Sequence, residues 1–171
     1  WKDRRWAGAR IPTLSEVLAS VPADKQIFIE IKSGPAIVAP LLADLRRSAL
    51  RDEQVVLIAF EAELIRQLKA KAPRYTANWL VSFKKRRGRG PVENWPQIVA
   101  TLKASGANGL GTNDHPALDP AHLAHLQAAG FAHHVWTVDD PATAHRFLAM
   151  GSRSITTNRP GALRKALQGR P

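Results

Sequence analysis

The chain has 171 residues, with 25 Lys and Arg against 14 Asp and Glu for a formal charge of +11, and 44% of its residues are hydrophobic. That is enough chain for one hydrophobic core, and the composition excludes collagen, a coiled coil, a disulfide scaffold and wholesale disorder. The absence of cysteine removes thiolate metal sites, cysteine nucleophiles and disulfide redox chemistry.

No apolar run approaches the roughly 20 residues that a membrane-spanning helix needs, so the expectation is a soluble chain, cytoplasmic or periplasmic. It begins at Trp1 rather than methionine, and Trp1–Trp6 holds no signal-peptide core. Residues upstream of Trp1 are therefore expected. The charge invites a nucleic-acid reading, but its distribution opposes one. Only Lys84-Lys85-Arg86-Arg87-Gly88-Arg89 is dense in base, and no aromatic is interleaved there as a stacking platform. No nucleic-acid partner is expected. The run and its glycines and proline predict an exposed loop over residues 83–95, one able to touch an anionic membrane surface peripherally.

Along the chain, Thr13-Leu14-Ser15-Glu16 is a capping box that starts a helix. Short apolar segments rich in β-branched residues then recur at 26–32, 55–60, 75–82, 107–111, 132–138 and 153–157. Helical stretches separate most of them. Asp119-Pro120 and Asp140-Pro141 each pair an N-cap acid with proline at the first helical position. The helices they start are expected to end at Gly130 and Gly151, where glycine takes the left-handed cap. The alternation predicts an α/β fold with a parallel sheet, and no linker or change of composition divides residues 1–171, so a single domain is expected.

The segment Ile27-Phe28-Ile29-Glu30-Ile31-Lys32 carries the most chemistry. Strand alternation puts Phe28, Glu30 and Lys32 on one face and three isoleucines on the other. The isoleucines belong under helices. A carboxylate and an ammonium are left on the opposite face, running into Ser33-Gly34-Pro35 at the C-terminal end of the strand. In α/β sheets and barrels that end is where ligand sites are built. Local pattern leaves two readings open: a functional pair, or an ordinary Glu–Lys ion pair at a barrel rim.

Five ordered motifs extend the argument. Residues 11–18 (Ile-Pro-Thr-Leu-Ser-Glu-Val-Leu) followed by Ile29-Glu30-Ile31-Lys32 resemble the central part of the glycerophosphodiester phosphodiesterases. So do Ala59-Phe60-Glu61, Val135-Trp136-Thr137-Val138-Asp139 and residues 155–161 (Ile-Thr-Thr-Asn-Arg-Pro-Gly). The resemblance covers nearly the whole chain. Its departures are small: the family more often has Ser before the Phe60 position and Asp after it, Asn at the Asp139 position and Asp at the Asn158 position.

The resemblance implies a TIM-type (β/α)8 barrel that hydrolyses glycerophosphodiesters to an alcohol and sn-glycerol 3-phosphate, a step of glycerophospholipid metabolism. It implies a divalent cation, Ca2+ or Mg2+, at the barrel mouth. Glu30 matches a carboxylate ligand of that metal, Lys32 a lysine facing the phosphate, Trp136 a tryptophan at the substrate end, and Phe60 the pocket wall. The family's histidine-arginine, Glu-x-Asp and histidine-aspartate motifs precede the Pro-Thr-Leu segment and are absent from residues 1–10. No catalytic acid or base is therefore assigned here, and the isolated chain is expected to be inactive. The expected architecture is an incomplete barrel lacking about the first three βα units. Three missing strands plus six candidates make nine, so 75–82 or 107–111 is expected not to be a barrel strand. Two alternatives stand beside the enzyme: a non-catalytic anion-binding remnant of the same fold, and a basic nucleic-acid-binding module.

The remaining candidates are weaker. His122 and His125 lie three apart on a helix without a completing carboxylate, which predicts solvated positions. His134 should share a face with Trp136 but at the far end from the mouth, so His133 and His134 are expected to be packed or partly solvated. Asp140 is a helix cap and accounts for most of the Asp139-Asp140 pair, with Asp139 near the mouth the lesser reading; Arg159 follows the last strand, where TIM barrels often bind phosphate, but a surface role is the first expectation for it. Trp1, Trp6, Trp79 and Trp95 carry no spacing that says more than packing.

Overall fold

A computed structural model describes residues 3–83 and 95–168. The predicted basic loop falls almost wholly outside these residues. The sheet contains β1 (Ile27–Glu30), β2 (Val55–Ala59), β3 (Thr76–Val81), β4 (Gly109–Asn113), β5 (Ala132–Trp136) and β6 (Ser154–Ile155). All neighbours are parallel, in the order β1-β2-β3-β4-β5-β6. Seven α-helices accompany them among the described residues: α1 (Leu14–Ala19), α2 (Val38–Arg47), α3 (Ala62–Lys71), α4 (Trp95–Ser105), α5 (Pro120–Ala128), α6 (Pro141–Ala149) and α7 (Pro160–Gln168).

Both segments suspected of not being strands are in the sheet, as β3 and β4. That expectation is overturned. An eight-stranded barrel containing these six strands has room for two more, not three. The reason β4 reads poorly is its composition, Gly-Leu-Gly-Thr-Asn. A side chain at Gly109 would place its Cβ 2.6 Å from the Ala132 carbonyl oxygen and 3.0 Å from Asn78 Oδ1. Glycine here is a condition of close packing rather than a sign of a loop.

The helix starts are as expected. Thr13 and Glu16 form the reciprocal capping box of α1. Asp119 accepts from the His122 amide at 3.0 Å, and Asp140 from the Thr143 amide at 2.7 Å. Gly130 and Gly151 follow α5 and α6 with φ of 84° and 92°. The helices cover one face of the sheet. Val55, Leu57, Ala59, Ala77, Leu110 and Val135 are buried there, in one core with Leu41, Leu45, Leu64, Ile65, Leu68, Leu102, Leu126 and Phe147.

The other face curls in on itself. Phe28 of β1 and His134 of β5 meet edge-to-face with ring centroids 6.1 Å apart. In a flat sheet, four strand spacings would separate those strands by about 19 Å. Side chains so far apart in strand order touch only across a concave surface. The sheet is therefore a curled half-barrel, and Phe28 and His134 point into it.

Candidate active site at the C-terminal edge of the sheet

The inner face is set by that contact and the two-residue period of strands. Glu30 follows Phe28 by two residues, and Trp136 follows His134 by two, so both face inward one level nearer the C-terminal edge. Phe60, just past β2, packs edge-to-face on Trp136 with ring centroids 5.8 Å apart. Lys32 lies beyond the end of β1, and its Nζ is 3.3 Å from Glu30 Oε2. Two pairs therefore form on one face: Glu30 with Lys32, and Phe60 with Trp136. The isoleucine face is as predicted, with Ile31 buried and Ile27 and Ile29 packed against the core.

Local bonds fix the walls of this edge. The Trp79 indole N–H donates to the Phe60 carbonyl at 2.8 Å, pinning the backbone that carries the Phe60 ring. Asn113 closes the next gap: its Oδ1 accepts from the Phe83 amide at 2.6 Å, and its Nδ2 donates to the Phe83 carbonyl at 3.0 Å. Trp136 lies over Gly111, where an added Cβ would stand 3.7 Å from the indole nitrogen. That indole N–H is buried and has no hydrogen-bond partner among the described residues, a donor available to a group arriving at the mouth.

The histidines divide as follows. His134 is half-buried at the lower level, with its Nδ1 2.7 Å from Ser154 Oγ. Burial, with a smaller contribution from the Arg153 charge, lowers its pKa to about 4. His133 points the other way and is 1% exposed. Its Nε2 lies 3.0 Å from Thr112 Oγ1 and its Nδ1 2.7 Å from Ser152 Oγ. His122 is less solvated than expected, because it packs edge-on against Trp95 at 4.7 Å and its Nδ1 lies 2.7 Å from Asp119 Oδ1.

Sequence reasoning missed two features. Asn78 lies on the inner face, 1% exposed, with both amide atoms buried and unpartnered among the described residues; strand alternation in Thr76–Val81 was the signal that could have placed it. Asp139 joins the loop after β5 to the loop after β6 (below), and its partners, 18 and 19 residues away, leave no local pattern.

A divalent cation of the calcium type takes six to eight oxygen ligands. Among the described residues no group of three or more His, Asp or Glu side chains stands close enough together to hold one. Glu30 supplies a single carboxylate, and these residues alone do not make a metal site.

The Glycerophosphoryl diester phosphodiesterase family matches residues 1–162. The chain belongs to this family. It is 28% identical over 182 residues to "Probable glycerophosphodiester phosphodiesterase 2" of Mycobacterium tuberculosis, covering 99% of this chain and 66% of that protein. It is 25% identical to a glycerophosphodiester phosphodiesterase of Bacillus subtilis, covering 96% of this chain and 57% of that protein. The chain thus spans about three fifths of the length of these relatives. Among solved structures, the glycerophosphodiester phosphodiesterase of Thermotoga maritima superposes with a TM-score of 0.69 at 20% identity, over 94% of this chain and 66% of that one. An Oleispira antarctica phosphodiesterase in complex with the product sn-glycerol-3-phosphate gives 0.69 at 17% identity, over 84% of this chain and 56% of that one. At those identities the structures speak for a shared fold. No helix among the described residues is long and apolar enough to cross a membrane.

Proposed function

We propose that the protein containing this chain hydrolyses glycerophosphodiesters to an alcohol and sn-glycerol 3-phosphate. In the reaction, water adds to phosphorus and the P–O bond to the alcohol breaks. The observation that carries the reading is the inward Glu30–Lys32 pair at the C-terminal edge of a family-member sheet, beside the Phe60–Trp136 wall. Lys32 supplies a positive charge to the phosphodiester. Phe60 and Trp136 give the glycerol or head-group end an aromatic surface. Glu30 contributes one carboxylate to a divalent cation site, Ca2+ or Mg2+, whose other ligands come from outside the described residues.

The fold proposed for the complete protein is a TIM-type barrel, closed by two βα units between β6 and β1. The histidine motifs to which the resemblance assigns proton transfer have no counterpart in this chain, so the isolated 171-residue chain is expected to be inactive.

The test compares three samples on glycerophosphocholine: the complete protein, its Glu30→Gln variant and the isolated chain. The complete protein should turn over substrate only with divalent cation present. Glu30→Gln should lose at least about 100-fold in kcat/KM and bind Ca2+ more weakly by calorimetry. Full activity in Glu30→Gln would refute the assignment of Glu30, and cation-dependent turnover by the homogeneous isolated chain would refute its inactivity.

A further inference from the structure

Backbone pairing between the last two strands continues past their formal ends: Thr156 N–H donates to the Val135 carbonyl at 2.8 Å and Val138 N–H to the Thr156 carbonyl at 2.9 Å. Beyond Val138 a side chain takes over. The Asp139 carboxylate is held by the loop that follows β6. Its Oδ1 accepts from the Thr157 hydroxyl at 2.8 Å and the Asn158 backbone N–H at 2.7 Å, and its Oδ2 accepts from the Asn158 amide at 3.0 Å.

Thr157 carries the constraint one residue further. Its hydroxyl accepts from the Arg159 backbone N–H at 3.0 Å, while its own proton goes to Asp139. Asp139 thereby fixes the backbone of Arg159, the residue immediately before α7. Its carboxyl is held below the usual range, first by the Asn158 and Thr157 side chains and last by the Arg159 charge. A bare carboxylate at this edge would oppose an anionic ligand. Here three donors engage its charge, and the side chain is spent on the loop.

We propose that Asp139 is a positioning residue that clasps the β6–α7 loop so that Arg159 serves, with Lys32, as a second cation for the phosphate group at the mouth. The inference rests on the phosphodiester reading above. Arg159 is exposed, and the loops after the last two strands are where TIM barrels commonly bind phosphate. A guanidinium offers a planar pair of donors to a phosphate, where an ammonium offers a point charge.

The experiment measures binding of sn-glycerol 3-phosphate and of inorganic phosphate to the complete, Ca2+-supplied protein by calorimetry, with steady-state kinetics alongside. Arg159→Ala should weaken both ligands about tenfold or more and raise KM with kcat nearly unchanged. Asp139→Ala should do the same although Arg159 is present. Asp139→Asn removes the charge, but the Asn158 amide can turn over to present its oxygen, so this variant should weaken binding less than Asp139→Ala. The exchanged pair Asp139→Asn/Asn158→Asp restores a donor facing an acceptor and should recover affinity to within about twofold of the parent.

Parental affinity in Arg159→Ala, with turnover still lost in Glu30→Gln, would overturn this inference and leave the proposed function standing. Failure of the exchanged pair to recover affinity would overturn the clasp. Binding of inorganic phosphate that depends on Arg159, without binding of sn-glycerol 3-phosphate, would keep the anion site and refute the phosphodiester reading.

Discussion

Lowering the pH should unfold this protein through His133 before its carboxylates titrate. The ring stacks on Phe147 with centroids 6.0 Å apart and an interplanar angle of 22°. Both of its hydrogen-bond partners are hydroxyls, on Thr112 and Ser152. A neutral imidazole has one donor and one acceptor, and two rotatable hydroxyls satisfy either tautomer. The same hydroxyls could accept from an imidazolium, but they bring no counter-charge to a ring buried in the core. Burial, with a smaller push from neighbouring His134, takes the His133 pKa from 6.5 to about 4.

The sign follows from proton uptake. The unfolded chain binds a proton on this histidine near pH 6.5, and the native protein does so only near pH 4. The stability from keeping His133 neutral is complete above pH 6.5 and drains away as the pH falls through that window. A drop from 6.5 to about 4 corresponds to about 3 kcal/mol, a large share of a typical domain's stability.

The assay is urea unfolding followed by circular dichroism at pH 7, 6, 5 and 4, on the parent and on His133→Phe. The variant keeps a ring against Phe147 but strands two hydroxyls, so it should be less stable at pH 7 by on the order of 1–3 kcal/mol. Its loss of stability between pH 7 and pH 4 should then be smaller than the parent's by about 3 kcal/mol. His134 titrates in both proteins and cancels in the comparison. Equal slopes in parent and variant would refute the reasoning, because they would put the acid sensitivity elsewhere.

Two further predictions concern the inner face. Gly109→Ala and Gly111→Ala should differ although they sit two residues apart on one strand. The first drives a Cβ to 2.6 Å from a backbone oxygen, the second to 2.6 Å from Leu80 Cδ2, the end of a side chain that can rotate away. Thermal melts should show Gly109→Ala costing on the order of 1–3 kcal/mol and Gly111→Ala clearly less; equal costs would contradict the packing described. Asn78→Leu, a change of similar shape, removes two buried and unpartnered amide atoms, so chemical denaturation should show a gain on the order of 1–3 kcal/mol. A loss instead would mean that the amide has a partner supplied by the rest of the protein.

What the sequence revealed tracks the range of the interactions involved. The capping box, the two Asp-Pro starts and the Gly130 and Gly151 stops are set within four residues, and each was legible. The faces of Ile27–Lys32 were legible too, because alternation is local and three isoleucines have one reasonable destination. The strand count failed at β4, because glycines that make room for Asn78, Leu80 and Trp136 look the same as glycines that break a strand. The Asp139 clasp and the Phe28–His134 contact join residues 19 and 106 positions apart. Nothing in either neighbourhood encodes them, and they exist only once the sheet has curled.

That curl changes the reading of Glu30 and Lys32, which the sequence left divided between a rim ion pair and a functional site. As a stabilising device the pair is poor: Nζ and Oε2 are 3.3 Å apart, and the lysine side chain is 77% exposed. Pairs of that kind contribute about 0–1 kcal/mol. Its place in the fold is the concave face of the curled sheet. Phe28 and His134 meet across the concave face one level below Glu30, and Phe60 and Trp136 meet at the edge above. Glu30 is itself exposed, one level above the Phe28–His134 contact and on the same face as the Phe60–Trp136 contact. A pair that gains little from its own attraction is free to engage a ligand, which is the role proposed for it above.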